Sequence, residues 1–342
     1  MATAVLSAVE FACRMPKAEL HVHIEGTLEP DLAFAAARRN GLLLPYPSEE
    51  ALHAAKAFTD LQSFLDLYYA CADVLRTSRD FADLMVAYLE RAHRDGVVHA
   101  EIFFDPQTHT ARGVPFDVVM EGLNAGRVEG AQRFGIGSRL ILCFLRHLSE
   151  DEASATLTQA QPFLDDIDGF GLDSSERGHP PSKFARVFAR VRAFGKPVVA
   201  HAGEEGPASY ITEALDLLGA VRIDHGVRAV EDPAVVRRLV AEGVALTVCP
   251  LSNVRLCVFP TMKDHVLPAL MAAGVRVTIN SDDPAYFGGY MNDNIRAVDA
   301  AFGFDSATWA TIGRTSIEAS FAAPADKARW LADIERLASA SV

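Results

Sequence analysis

The chain has 342 residues, half of them hydrophobic, which is enough for one large buried core and a usual length for a (β/α)8 barrel with insertions. Its formal charge of −13, from 45 acidic and 32 basic side chains, argues against a nucleic-acid backbone or an anionic membrane surface as partner. A neutral or cationic small molecule is the expected partner. The five cysteines, at 13, 71, 143, 249 and 257, are odd in number, scattered and without a CxxC pair, so free thiols in a reducing cytoplasm are expected. Residues 1–15 lack a basic start and hold Glu10, so no signal peptide is expected there. No apolar run approaches the ~18 residues of a membrane-spanning helix.

Taken in order, residues 4–14 read as a short helix leading to Pro16, and a first strand follows at Ala18–Val22. A Gly26–Pro30 turn then opens a helix over 30–40 that Gly41 stops. Residues 42–95 read as a helical insertion, with apolar residues at three- and four-residue spacing in Ser63–Leu75 and Asp80–Arg94. The aromatic stretch Phe58–Tyr69 within it is expected to be core. Because an insertion after the first strand of a barrel lies over the catalytic mouth, a lid is the alternative. Strand and helix then alternate. Strands are expected at Val97–Phe104, Arg139–Phe144, Asp168–Leu172, Pro197–Ala200, Val221–Asp224, Ala245–Val248 and Val275–Ile279. Helices are expected at 115–133, 149–163, 182–194, 208–218, 232–242 and 262–273, with closing helices at 292–303, 306–321 and 325–340. Eight strands in eight βα units, with no linker or repeat, predict one TIM-barrel domain over 1–342. In that fold, polar groups at the C-terminal strand ends are the catalytic ones.

Four such ends carry chemistry. His21 and His23 alternate on the first strand, so both side chains leave one face. His201 adds a third imidazole and Asp282 a carboxylate, an N/O ligand set that suits one divalent metal and leaves room for water. A metal of this kind acidifies its water, so a hydrolytic enzyme then needs a group to steer that water and an acid for the atom that turns basic during attack. His225, ending strand six, is the candidate base or electrostatic partner. Glu204, three residues beyond His201, is the candidate acid, its pKa raised by partial burial. In Asp282-Asp283, one carboxylate can bind metal while its neighbour turns to substrate.

The set His21-Val22-His23 after Pro16–Leu20, then His201-Ala202-Gly203-Glu204, Asp224-His225-Gly226, Cys249–Asn253 and Ser281-Asp282-Asp283-Pro284 resembles the adenosine/adenine deaminase family of the amidohydrolase superfamily. The resemblance spans roughly residues 15–325, with the motifs in matching order. It implies one zinc ion per chain held by His21, His23, His201 and Asp282. It further implies that Glu204 protonates purine N1, that His225 helps activate the attacking hydroxide, and that Asp283 hydrogen-bonds purine N7. Glu25, Phe104–His109, Leu172–Glu176 and Ala285–Tyr290 look more like the adenine deaminases than the nucleoside enzymes, and put ribose binding in doubt.

The implied reaction is hydrolytic deamination of adenine to hypoxanthine and ammonia, on a small-molecule purine and in the cytoplasm. Ser175 and Glu176 are expected to bind substrate, Glu176 by accepting the ring N–H that free adenine has and adenosine lacks. N6-substituted adenine or adenosine is the alternative substrate, and a catalytically silent metal-binding barrel the alternative of another class. Oligomeric state stays open.

Overall fold

The computed structural model describes residues 6–340; the start of the helix expected from residue 4, and residues 1–5 of the segment read for a signal peptide, lie outside them. Eight parallel strands line the centre: β1 (Lys17–His23), β2 (Val97–Phe104), β3 (Gly137–Leu145), β4 (Gly169–Asp173), β5 (Val199–Ala202), β6 (Arg222–His225), β7 (Ala245–Val248) and β8 (Arg276–Ile279). They form two four-stranded sheets, β1–β4 and β5–β8, every pairing parallel. Two seams close the barrel. Phe170 N–H donates to Pro197 O (3.0 Å) between β4 and β5, and His23 N–H donates to Asp282 O (2.9 Å) between β1 and the end of β8. The strands are buried nearly throughout, as parallel strands covered on both faces must be. At the opposite end of the barrel from the histidines, Arg222 on β6 reaches Glu101 on β2 (2.6 Å) and Leu20 O on β1 (3.1 Å), tying the two sheets together.

All eight expected strands are present, mostly shifted by one or two residues, so that His201 and His225 lie within β5 and β6 rather than beyond them. Four short helices have no counterpart in the sequence reading: Glu49–Ala54, Pro106–Thr110, Pro250–Arg255 and Pro284–Phe287. Three of them begin with a proline directly after a strand end, where fixed φ and a missing N–H suit a helix start. The 42–95 insertion is corrected in its extent. Ser78–Arg94 packs against β2 and lies along Phe116–Phe134, so it belongs to the outer ring of the barrel. Gly122, Gly126 and Gly130 form a stripe that permits this approach. A Cβ on Gly122 would stand 2.3 Å from Ser78 O, and one on Gly126 2.6 Å from Met85 Cβ.

Only the part before Ser78 covers the mouth, through helix Leu61–Ala72. Asp60 caps that helix by accepting the Ser63 N–H (2.8 Å), and Leu61, Phe64, Leu65 and Tyr68 are buried. The aromatic stripe proves to be core and cavity wall at once. Phe64 packs on Tyr286 and Phe287 (5.5 and 4.7 Å between centroids), while Leu61, Phe64, Leu65, Tyr68 and Tyr69 line the cavity beneath.

Among the described residues, no helix is long and apolar enough to cross a membrane.

Candidate active site and metal centre

Strand ends bring His21, His23, His201 and Asp282 together, with one ligand atom from each within 4.8 Å of the others. His23 Nε2 faces His201 Nε2 at 3.1 Å, and Asp282 Oδ1 lies 3.1 Å from His21 Nε2 and 3.4 Å from His23 Nε2. Asp282 takes this position through a left-handed backbone (φ 64°) just past β8, and His225 (φ 60°) and Ser174 (φ 72°) do likewise past or at β6 and β4. Non-glycine residues hold that conformation only where the surroundings impose it, and three of the four here stand at the mouth.

The proton inventory suits a cation. Thr247 Oγ1 donates to Asp224 Oδ1 (2.8 Å), so it is Thr247 Oγ1 that accepts from His21 Nδ1–H (2.9 Å). That leaves the buried Nε2 of His21 facing Asp282 Oδ1, where a metal would take it. Burial lowers His23 to about 4, and burial with the neighbouring histidines drives His201 well below its ordinary range, so both present lone pairs. Burial raises Asp282, but its contact with His21 outweighs that and holds the carboxyl well below its ordinary range, while burial of His21 is likewise outweighed by the same carboxylate, which raises it. Three imidazole nitrogens and a carboxylate converging on one point fit a divalent metal, which would take the place of a proton between His21 and Asp282.

Three further groups meet the cluster. Glu204 and Asp283 both line the cavity, each with one buried oxygen lacking a partner, Glu204 Oε1 and Asp283 Oδ1. Burial, then the Asp282 charge, pushes each carboxyl well above the usual range, so both are acids that can donate. His225 Nε2 lies 3.6 Å from Glu204 and 3.6 Å from Asp282.

Its protonation is set from a distance. Burial lowers His265 to about 4, so it is neutral, and Leu267 N–H donates to its Nδ1 (3.0 Å). The His265 proton is therefore on Nε2, and it is donated to Asn253 Oδ1 (3.2 Å). The Asn253 amide N–H in turn points at His225 Nδ1 (3.3 Å). His225, lowered to about 3 first by burial, thus carries its proton on Nε2, facing the metal centre.

The cavity, of about 40 Å3, lies well below the ~300–1,000 Å3 range of ligand pockets, so the mouth is nearly closed in this structure. Asp105, Asp173 and Ser174 line it further, and Glu25, paired with His109 (2.7 Å), lies behind Asp105.

Two expectations are corrected here. Glu176 does not reach into the cavity. Its carboxylate is buried beneath the 203–206 loop, where four main-chain N–H groups donate to it, three to Oε2 and one to Oε1. Ser175 is not in the cavity wall either; Ser174 is, its hydroxyl shared with Tyr69 (3.0 Å) and His147 (2.9 Å). The sequence reading missed Thr247, Asn253 and His265, and the buried Asp105 and Asp173, which sit in apolar strand ends as Asp282 does and could have been sought on that ground.

A closed parallel barrel whose C-terminal mouth gathers three histidines and an aspartate defines a metal-dependent hydrolase of the amidohydrolase type. The adenosine deaminase family matches residues 16–337, and the chain belongs to that family. Among its relatives is an adenine deaminase of Cupriavidus necator, 60% identical over 322 residues that cover 94% of this chain and 92% of the other. One of Geotalea uraniireducens is 58% identical, covering 94% and 91%. The crystal structure of an adenine deaminase from Arthrobacter aurescens superposes with a TM-score of 0.94 at 52% identity, over 95% of this chain and 99% of that one. An amidohydrolase from B. ambifaria with bound zinc superposes at 0.89 with 28% identity, covering 100% and 96%.

Proposed function

We propose that the chain catalyses hydrolytic deamination of adenine, in which adenine and water give hypoxanthine and ammonia. One zinc ion, held by His21, His23, His201 and Asp282, is the proposed cofactor; when bound, such an ion supplies an acidified water as nucleophile. The protein's own groups do the rest. Glu204, kept protonated, delivers its proton to N1 as C6 becomes tetrahedral. As the tetrahedral C6 collapses, a C6=O bond forms and the C6–N6 bond breaks; one proton of the added water leaves with the amine as ammonia, the other restores the Glu204 acid, and N1 keeps the proton it received. His225 directs its Nε2–H at the oxygen that attacks, and so stabilises and aims that oxygen rather than taking its proton in the resting tautomer. Asp283, also protonated, donates to N7 and fixes the ring.

The observation that carries this reading is the pair of buried acids, Glu204 and Asp283, with free oxygens beside the metal cluster in one small cavity. They suit a flat heterocycle with acceptor nitrogens flanking an exocyclic amine. The names of the close relatives support adenine as the particular purine. A cytosolic setting accords with five unpaired cysteines.

The test is ammonia release from adenine, adenosine and N6-methyladenine, with and without chelator. Chelator-sensitive turnover confined largely to adenine is the expected result. Turnover of adenosine as efficient as that of adenine moves the chain to the nucleoside branch, and no turnover of any of the three sinks the reading.

A further inference from the structure

Glu204 stands on a loop, and a proton donor on a loop must be held by something. The loop runs from the end of β5 through Gly203, Glu204, Glu205 and Gly206. Its four successive N–H groups all turn inward on one carboxylate. Glu176 Oε1 accepts from Gly203 N (2.7 Å), and Oε2 accepts from Glu204 N (3.0 Å), Glu205 N (2.8 Å) and Gly206 N (2.7 Å). Consecutive main-chain N–H groups curled in this way form an anion-binding concavity, and here the anion is supplied by the chain itself. The loop carbonyls are held from the other side. Arg146 Nη1 donates to His201 O (2.7 Å), Arg228 N to Gly203 O (2.8 Å) and Arg228 Nη1 to Glu205 O (2.7 Å). Glu176 is 1% exposed, and Gly206 has no room for a side chain, since its Cβ would stand 2.6 Å from Glu176 Oε1.

We infer that Glu176 is a positioning residue: its carboxylate fixes the 203–206 loop and thereby the place of the Glu204 acid, and it makes no contact with substrate. The reasoning is one of valence. A carboxylate offers about four lone-pair sites; here three main-chain donors crowd Oε2 and one holds Oε1, and at 1% exposure the group lies under the loop rather than in the cavity wall. A purine ring N–H could reach this carboxylate only by moving the 203–206 loop and breaking the main-chain bonds that seat it, each a buried hydrogen bond left unmade. The same arrangement explains the residue type. Glutamine offers one oxygen to the four donors and turns its own N–H groups against the others, whereas glutamate accepts from all four.

The inference rests on Glu204 as the acid, so the test separates the two. Glu176→Gln, Glu204→Gln and the double variant are compared for kcat and KM on adenine, for the adenine-to-adenosine ratio of kcat/KM, and for zinc content. Glu176→Gln is expected to lose ~10–100-fold in kcat, as loss of an outer-sphere partner typically does. KM, the substrate ratio and bound zinc should barely move. In the Glu204→Gln background the same change should lose nothing more, because residues acting through one group are not additive. Gly206→Ala, which presses a methyl on the carboxylate while keeping its charge, should give the same pattern, and it stands in should Glu176→Gln fail to fold. A relaxed adenine-to-adenosine ratio, a further loss in the Glu204→Gln background, or full kcat in both Glu176→Gln and Gly206→Ala overturns the inference. Full kcat in Glu204→Gln alone overturns the acid assignment instead.

Discussion

At the scale of single residues, the direction of a hydrogen bond matters as much as its presence. The Leu267 N–H cannot reverse, so it orients His265, then Asn253, then His225. Asn253→Ala cuts this chain and frees His225 to carry its proton on either nitrogen. We expect ~10–100-fold loss in kcat with zinc retained, and nitrogen NMR of labelled histidine should report the Nε2–H form in the wild type. An Nδ1–H signal for His225 there contradicts the assignment. Glu204 gives a second expectation at this scale. Burial and the Asp282 charge raise its pKa, and its protonated form is the active one. Activity on adenine should therefore persist above the ordinary carboxylate range and fall as pH rises through the raised pKa. A pH–rate profile that falls only on the acid side speaks against it.

At the scale of elements, the mouth is closed by a helix that is also part of the core. Helix Leu61–Ala72 buries Phe64 against Tyr286 and Phe287, and Lys56 just before it donates to Ala285 O in the short helix Pro284–Phe287. Beneath it the metal-binding side chains are nearly sealed, with His201 only 6% and His23 7% exposed. We propose that this helix moves to admit adenine. Hydrogen exchange should therefore be faster over 56–72 than over β1–β8, and should slow there when hypoxanthine is bound. Exchange over 61–72 as slow as in the strands defeats the lid reading. The Ser78–Arg94 helix is not expected to share this motion, because the glycine stripe of Phe116–Phe134 seats it tightly on the outer ring.

At the scale of the molecule, the proposed metal joins two halves. His21 and His23 belong to the β1–β4 sheet, while His201 lies in, and Asp282 directly follows, the β5–β8 sheet. Besides the ligand set, the two seams, Arg222 to Glu101 and Leu20, Leu20 N–H to Asn280, and Ser281 to Glu19 are among the links between these sheets. Anything bound only by the folded state stabilises it, by ~4 kcal/mol at a thousandfold excess over Kd. Removing zinc should therefore lower Tm by several degrees in calorimetry, reversibly on re-addition, and His21→Ala should abolish both the zinc and the effect. An unchanged Tm on metal removal places the stability elsewhere.

The amino-acid sequence by itself determined what depends on neighbours along the chain. Apolar runs of Val, Ile and Leu ending in His, Asp or Gly located eight strands within a residue or two, and the two-residue period placed His21 and His23 on one face. Parallel order then gathered the polar strand ends at one mouth, which is why the metal cluster, Glu204, His225 and Asp283 were legible before any coordinates. Tertiary structure alone decided the partners of those groups. Glu176 and Ser175 sit beside Ser174 in sequence, yet only Ser174 enters the cavity, because its left-handed backbone turns the chain past β4. Glu176 meets the 203–206 loop rather than substrate, and His225 meets Asn253 and His265, through contacts between distant segments. Local patterns encode which face a side chain leaves, since backbone geometry fixes it. They do not encode which donor reaches its last lone pair, since that depends on how separate units pack.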